Sequence, residues 1–112
     1  MKDYSAMSDF EINREVALNL GAKDLGDGIF VGEYRRYDIG ERVKNKFKFD
    51  PCKSWGDAGP IIQENKINID YRESVKAGPM ASQSGHKEVY AVDKNPLRAA
   101  MIVFLMMKDA EK

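Results

Sequence analysis

The chain has one cysteine, one histidine and one tryptophan among 112 residues, and each scarcity excludes something. A lone thiol, Cys52, cannot form an internal disulfide, and an unpaired cysteine suits a reducing compartment better than an oxidising one. One Cys and one His cannot supply the usual four-ligand structural zinc site, so no metal is expected. A Cys–His nucleophilic pair would need His86 beside Cys52, yet His86 falls in a stretch rich in Gly, Pro and Ser. An excess of one charge is also lacking, because 18 Lys and Arg balance 18 Asp and Glu. That balance argues against nonspecific binding of the whole domain to nucleic acid or to a membrane surface. It also weakens repulsion between copies, so a homodimer is one expected state. No GxGxxG or P-loop cradles a phosphate, and no cofactor is expected.

Long apolar runs are missing as well. The longest, Ala99 to Met107, is bracketed by Arg98 and Lys108, and it falls below half of the roughly 20 residues a spanning helix needs. The opening MKDYSAMSDF holds no apolar core of signal-peptide length. No membrane association is expected, and with the lone thiol this makes a cytoplasmic location the expectation. A chain of this length forms one domain, residues 1–112, with a single core.

What is present reads as alternating helices and strands. Ser8 and Glu11 have the spacing of a capping box, with Met7 and Ile12 at the positions of a hydrophobic staple. Ile12, Val16, Leu20, Ala17 and Phe10 then fall on one arc, which predicts an amphipathic helix over 9–20 ended by Gly21. Residues 22–28 are turn-formers. Segment 28–39 is rich in β-branched and aromatic residues, and 43–49 alternates Val43, Phe47 and Phe49 with lysines. Both read as strands, paired as a hairpin turning near Gly40. A second helix is expected over 57–65 with Asp57 as its cap, because a start at Ser54 would put Pro60 beyond the first turn. Ile67, Ile69 and Tyr71 mark a third strand. Residues 73–86 lack periodicity and read as a mobile loop, and 87–92 reads as a fourth strand. Asn95 caps a closing helix over 96–109 with Pro96 at its first position. That helix is apolar all round, so it must be covered on more than one side: by a sheet against Leu97, Met101, Phe104 and Leu105, and by the first helix or a second subunit elsewhere.

Candidate chemistry is sparse. Cys52 suits a small buried hydrophobe better than a nucleophile. The acid pairs Asp27 with Glu33 and Asp70 with Glu73 read as solvated charges. The loop DPCKSWGDAGP offers the best functional surface, through Asp50, Cys52, Trp55 and Asp57, because its turn chemistry and the sole tryptophan lie together. Trp55 itself is expected to anchor the loop on the core, with exposed recognition as the alternative. Between residues 34 and 53, seven cations (35, 36, 42, 44, 46, 48, 53) face three acids (38, 41, 50), an excess of four. Tyr34, Arg35, Arg36, Lys44 and Lys46 are therefore the candidate contacts of a second reading, a module for single-stranded nucleic acid. The favoured view of that stretch is ordinary: Tyr34 and Phe47 face the core and the lysines lie on the strand exterior.

Three segments, MSDFEINREVA, DPCKSWGDAGPIIQENKI and DKNPLRAAMIVFLMMK, together resemble the phage NinX-like family, small proteins of lambdoid phages and prophages. The likeness covers both ends and the middle of the chain. Residues 22–48 and 72–88 match less clearly. The family is defined by its occurrence in phage genomes and not by an activity, so the resemblance carries over no catalytic residue. It implies an accessory phage protein in the cytoplasm of a bacterial host, and a likeness to small phage domains built as α/β/α sandwiches.

The expected class is α+β: a small, mostly antiparallel sheet of about four strands packed by three helices. The expected function is non-enzymatic binding of a host or phage protein. Binding of single-stranded nucleic acid is the second reading and a small enzyme the third.

Overall fold

A computed structural model describes residues 4–26, 29–36, 41–71 and 78–111, with the backbone alone for 31–36, 41–47 and 86–88. After a single 3-10 turn at Tyr4–Ala6, helix α1 spans Asp9–Asn19. Its capping box is complete: Glu11 N–H donates to Ser8 Oγ at 3.1 Å, and Ser8 N–H donates to Glu11 Oε1 at 3.4 Å. Gly21 follows with φ +92°, the left-handed stop that glycine adopts without strain. The buried stripe is Ile12, Asn13, Val16 and Ala17. Phe10 and Leu20, expected inside, are about half exposed. Phe10 sits at the margin of the stripe, and Leu20 is the C-cap beyond the last turn.

Two antiparallel three-stranded sheets follow. The first joins β1 (Lys23–Gly26), β2 (Ile29–Arg36) and β3 (Glu41–Lys48) in chain order. The expected hairpin is β2–β3, in register from Ile29↔Lys48 to Arg36↔Glu41. Strand β1 arises from residues expected to be turns. The second sheet joins β4 (Ile67–Asp70), β5 (Met80–Gln83) and β6 (His86–Val92). Strand β5 comes from the segment expected to be a mobile loop; residues 73–77 of that segment lie outside the described residues. Gly78 explains how β5 is set. Its φ is +100°, and a Cβ there would stand 2.7 Å from the Asp93 carbonyl oxygen and the Lys94 Cα. Asp93 N–H also donates to the Pro79 carbonyl at 3.2 Å. The two backbones touch where only glycine fits.

Helix α2 spans Trp55–Glu64, two residues earlier than the sequence suggests. Ser54 is the cap, accepting from Asp57 N–H at 3.2 Å. Pro60 therefore lies inside the helix, with no amide to offer the Gly56 carbonyl. The Asp57 carboxylate, expected to cap, accepts from Asp50 N–H at 2.9 Å instead.

Helix α3, Pro96–Ala110, is the centre of the molecule. Asn95 Oδ1 accepts from Leu97 N–H at 3.0 Å and from Arg98 N–H at 3.4 Å. Leu97 and every residue from Ala99 to Leu105 are buried. Helix α3 packs against β4, β5 and β6 and against α1 and α2, and α2 also touches β4. The class is α+β, as expected, but the described residues form six strands in two sheets where a single sheet of about four was expected. The all-round apolarity of α3 is satisfied within one chain.

Candidate functional site

Of the four residues singled out in the sequence, Asp50 and Asp57 bond directly and Cys52 joins them through Asn13, while Trp55 opens α2 next to them in the chain. The loop folds on itself first: the Asp50 carbonyl accepts from Lys53 N–H at 3.0 Å and from Ser54 N–H at 2.8 Å. Asp50 N–H then reaches the Asp57 carboxylate, which ties the loop's start to the first turn of α2. Two asparagines from other elements complete the fastening. Asn13 on α1 donates from Nδ2 to Asp50 Oδ1 at 2.8 Å, while its Oδ1 accepts from Cys52 N–H at 3.1 Å. Asn95, besides capping α3, donates from Nδ2 to the Cys52 carbonyl. Both main-chain groups of Cys52 are thereby satisfied by side-chain amides, as a buried backbone requires.

Pro51, Cys52 and Ala58 are the buried residues of this segment. Burial pushes the Cys52 thiol up to about 12, and the nearby Asp9 carboxylate adds to the shift while Arg98 opposes it. A buried thiol that holds its proton so firmly carries little thiolate at neutral pH. Cys52 is fully buried, as its residue type suggested.

Trp55, by contrast, stays outside. It is 53% exposed, so the expected core anchor is not one; the loop is held by hydrogen bonds instead. Trp55 occupies the first position of α2, immediately after the fastened turn.

Arg98 was not singled out from sequence, yet it organises the neighbouring surface. Its side chain is 12% exposed and pairs with Asp9 at 2.8 Å and Asp93 at 3.0 Å. Its remaining nitrogen donates to the carbonyls of Ser5 at 3.2 Å and Met7 at 2.6 Å, which straps the N-terminal turn across α3. Tyr4, buried, donates its hydroxyl to Asp109 near the other end of the same helix. Burial and the Asp109 carboxylate raise the Tyr4 phenol above its ordinary range. The only hint of Asn13 in the sequence was a polar residue inside an apolar stripe, and of Arg98 a charge abutting an apolar run.

The residues of the second reading lie on the other sheet, Tyr34, Arg35 and Arg36 on β2 and Lys44 and Lys46 on β3. Their side chains are outside the described residues, as are those of Glu33 and His86 and the whole of Asp27 and Glu73. Among the described residues no three His, Cys, Asp or Glu side chains gather to hold a metal ion, and no helix is long and apolar enough to cross a membrane.

Comparison with known proteins adds one finding. The family model described as "Bacteriophage P22, NinX" matches residues 3–108, nearly the whole chain, and the chain belongs to that phage family. No curated protein matches it. No solved structure matches it either.

Proposed function

Starting from membership of a phage family, we propose that this accessory protein works in the bacterial cytoplasm by binding a host or phage protein. The binding surface is the fastened loop Asp50–Asp57, and Trp55 is its anchor. The observation that carries this reading is the exposure of Trp55 on a backbone already held by Asn13, Asp57 and Asn95. A rotamer-poor aromatic on a fixed loop loses little freedom when a partner covers it, so more of the contact energy appears as affinity. Tryptophan is among the residues most enriched where interfaces concentrate their binding energy.

The test is comparative capture from phage-infected cells with wild-type protein and Trp55→Ala. A hot-spot loss of about 2 kcal/mol corresponds to roughly a 30-fold weaker complex. The specific partner should therefore disappear from the Trp55→Ala capture while the variant's melting temperature stays unchanged. Identical partner profiles from the two proteins would refute the assignment of this surface.

A further inference from the structure

Beyond Val31, where its pairing with β1 ends, β2 continues with β3 as a two-stranded ribbon, and the β2–β3 register sorts residues by chemistry. Cross-strand partners share a face, and successive residues alternate between faces. One set holds Phe30 with Phe47, Gly32 with Asn45, Tyr34 with Val43 and Arg36 with Glu41. The other holds Ile29 with Lys48, Val31 with Lys46, Glu33 with Lys44 and Arg35 with Arg42. Phe30 is buried and meets Phe49 edge-on, with ring centroids 6.2 Å apart, which marks the first set as the core side at the ribbon's base. Lys48 is exposed, which marks the second as the outer side. The outer set therefore gathers Arg35, Arg42, Lys44, Lys46 and Lys48 against the single acid Glu33, in a chain with no net charge. Arg35 and Arg42 stand directly opposite each other, an arrangement that costs stability in an isolated sheet and that an anion would relieve.

We propose that this outer face of the β2–β3 ribbon docks on the phosphate backbone of double-stranded DNA. A two-stranded β-ribbon is one of the two elements that the duplex major groove admits, and closely set cations supply the sequence-independent part of such binding. Single-stranded nucleic acid is held by aromatics interleaved with cations, whereas Tyr34 and Phe47 occupy the opposite register set from the lysines. A protein partner fits less well, because lysine is depleted at the centre of protein interfaces. The ribbon and the Trp55 surface rest on different residues, and the two assignments stand or fall independently.

Fluorescence anisotropy with a labelled duplex of about 20 base pairs tests it, titrating salt from about 50 to about 200 mM. Four to five phosphate contacts give a slope of log K against log salt near about −4. Lys44→Ala/Lys46→Ala should flatten that slope by about 2 with an unchanged circular dichroism spectrum. Glu33→Gln should tighten binding, a gain that misfolding cannot produce, and Trp55→Ala should leave it unaltered. Three results would overturn the proposal: no binding at low salt, the same slope in the double variant, or tighter binding of the corresponding single strand. Poly-glutamate bound as tightly as the duplex would reassign the face to an acidic protein.

Discussion

Replacing Asn13 by alanine removes two hydrogen bonds at once and should be among the most damaging polar substitutions in the chain. Asn13 is 8% exposed. Its loss leaves the buried Cys52 N–H with no acceptor, a desolvation cost of about 1–3 kcal/mol, and takes a donor from the Asp50 carboxylate, worth about 1.5–3 kcal/mol. The two losses share one site and are not additive, so about 2–4 kcal/mol is expected from urea unfolding followed by far-ultraviolet circular dichroism. At about 4–8 °C per kcal/mol for a domain near this size, the melting temperature should fall by more than about 8 °C. Asn13→Asp sharpens the point. It keeps an acceptor for Cys52 N–H but sets a carboxylate against Asp50, so one of the two acids must have a raised folded pKa. A raised folded pKa contributes stability at low pH that is lost as pH rises, so this variant should gain on wild type when acidified through the carboxylate range. An Asn13→Ala loss below about 0.5 kcal/mol, within the range of an ordinary surface change, would show that the loop is not held as described.

Cys52 predicts a second pH effect of the same sign. Its folded thiol keeps its proton up to about 12, so stability should fall above the unfolded thiol's pKa of about 8.5 by about 1.4 kcal/mol per pH unit. Cys52→Ser should blunt that decline, and an equally steep alkaline loss in the variant would contradict it. Gly78→Ala forces a Cβ onto the Asp93 and Lys94 backbone and should cost at least about 2 kcal/mol, with wild-type stability as the contrary result. Lys66 carries φ +53°, so Lys66→Gly should stabilise by about 0.5–1 kcal/mol; a loss in the same denaturation assay would speak against that strain. Phe104, 1% exposed at the centre of α3, should cost about 3–5 kcal/mol as Phe104→Ala, measured by the same unfolding curves, and a cost under about 1 kcal/mol would remove α3 from the centre of the core.

Helices were legible because their ends are written locally. Ser8 with Glu11 and Asn95 with Pro96 name their caps within four residues of sequence. Strands β1 and β5 were not legible, since KDLG and MASQ lack alternation and are held by partners elsewhere in the chain, β2 for one and β4 with β6 for the other. The start of α2 was misplaced for an instructive reason. The rule that keeps proline near a helix start assumed Asp57 was free to cap, and the tertiary bond to Asp50 had already taken its carboxylate. The candidate loop was found from its turn residues, but which of them go inside (Pro51, Cys52 and Ala58) and which stays out (Trp55) is settled only in the folded chain. That is a packing outcome, and no residue pattern states it.

The most direct test of a recognition loop that is rigid before it binds is backbone nitrogen-15 relaxation over residues 50–57 in the free protein. Order parameters of about 0.85, equal to those of α3, are expected from Cys52 through Asp57; values below about 0.6 would show a flexible loop and contradict the fastening by Asn13, Asp57 and Asn95.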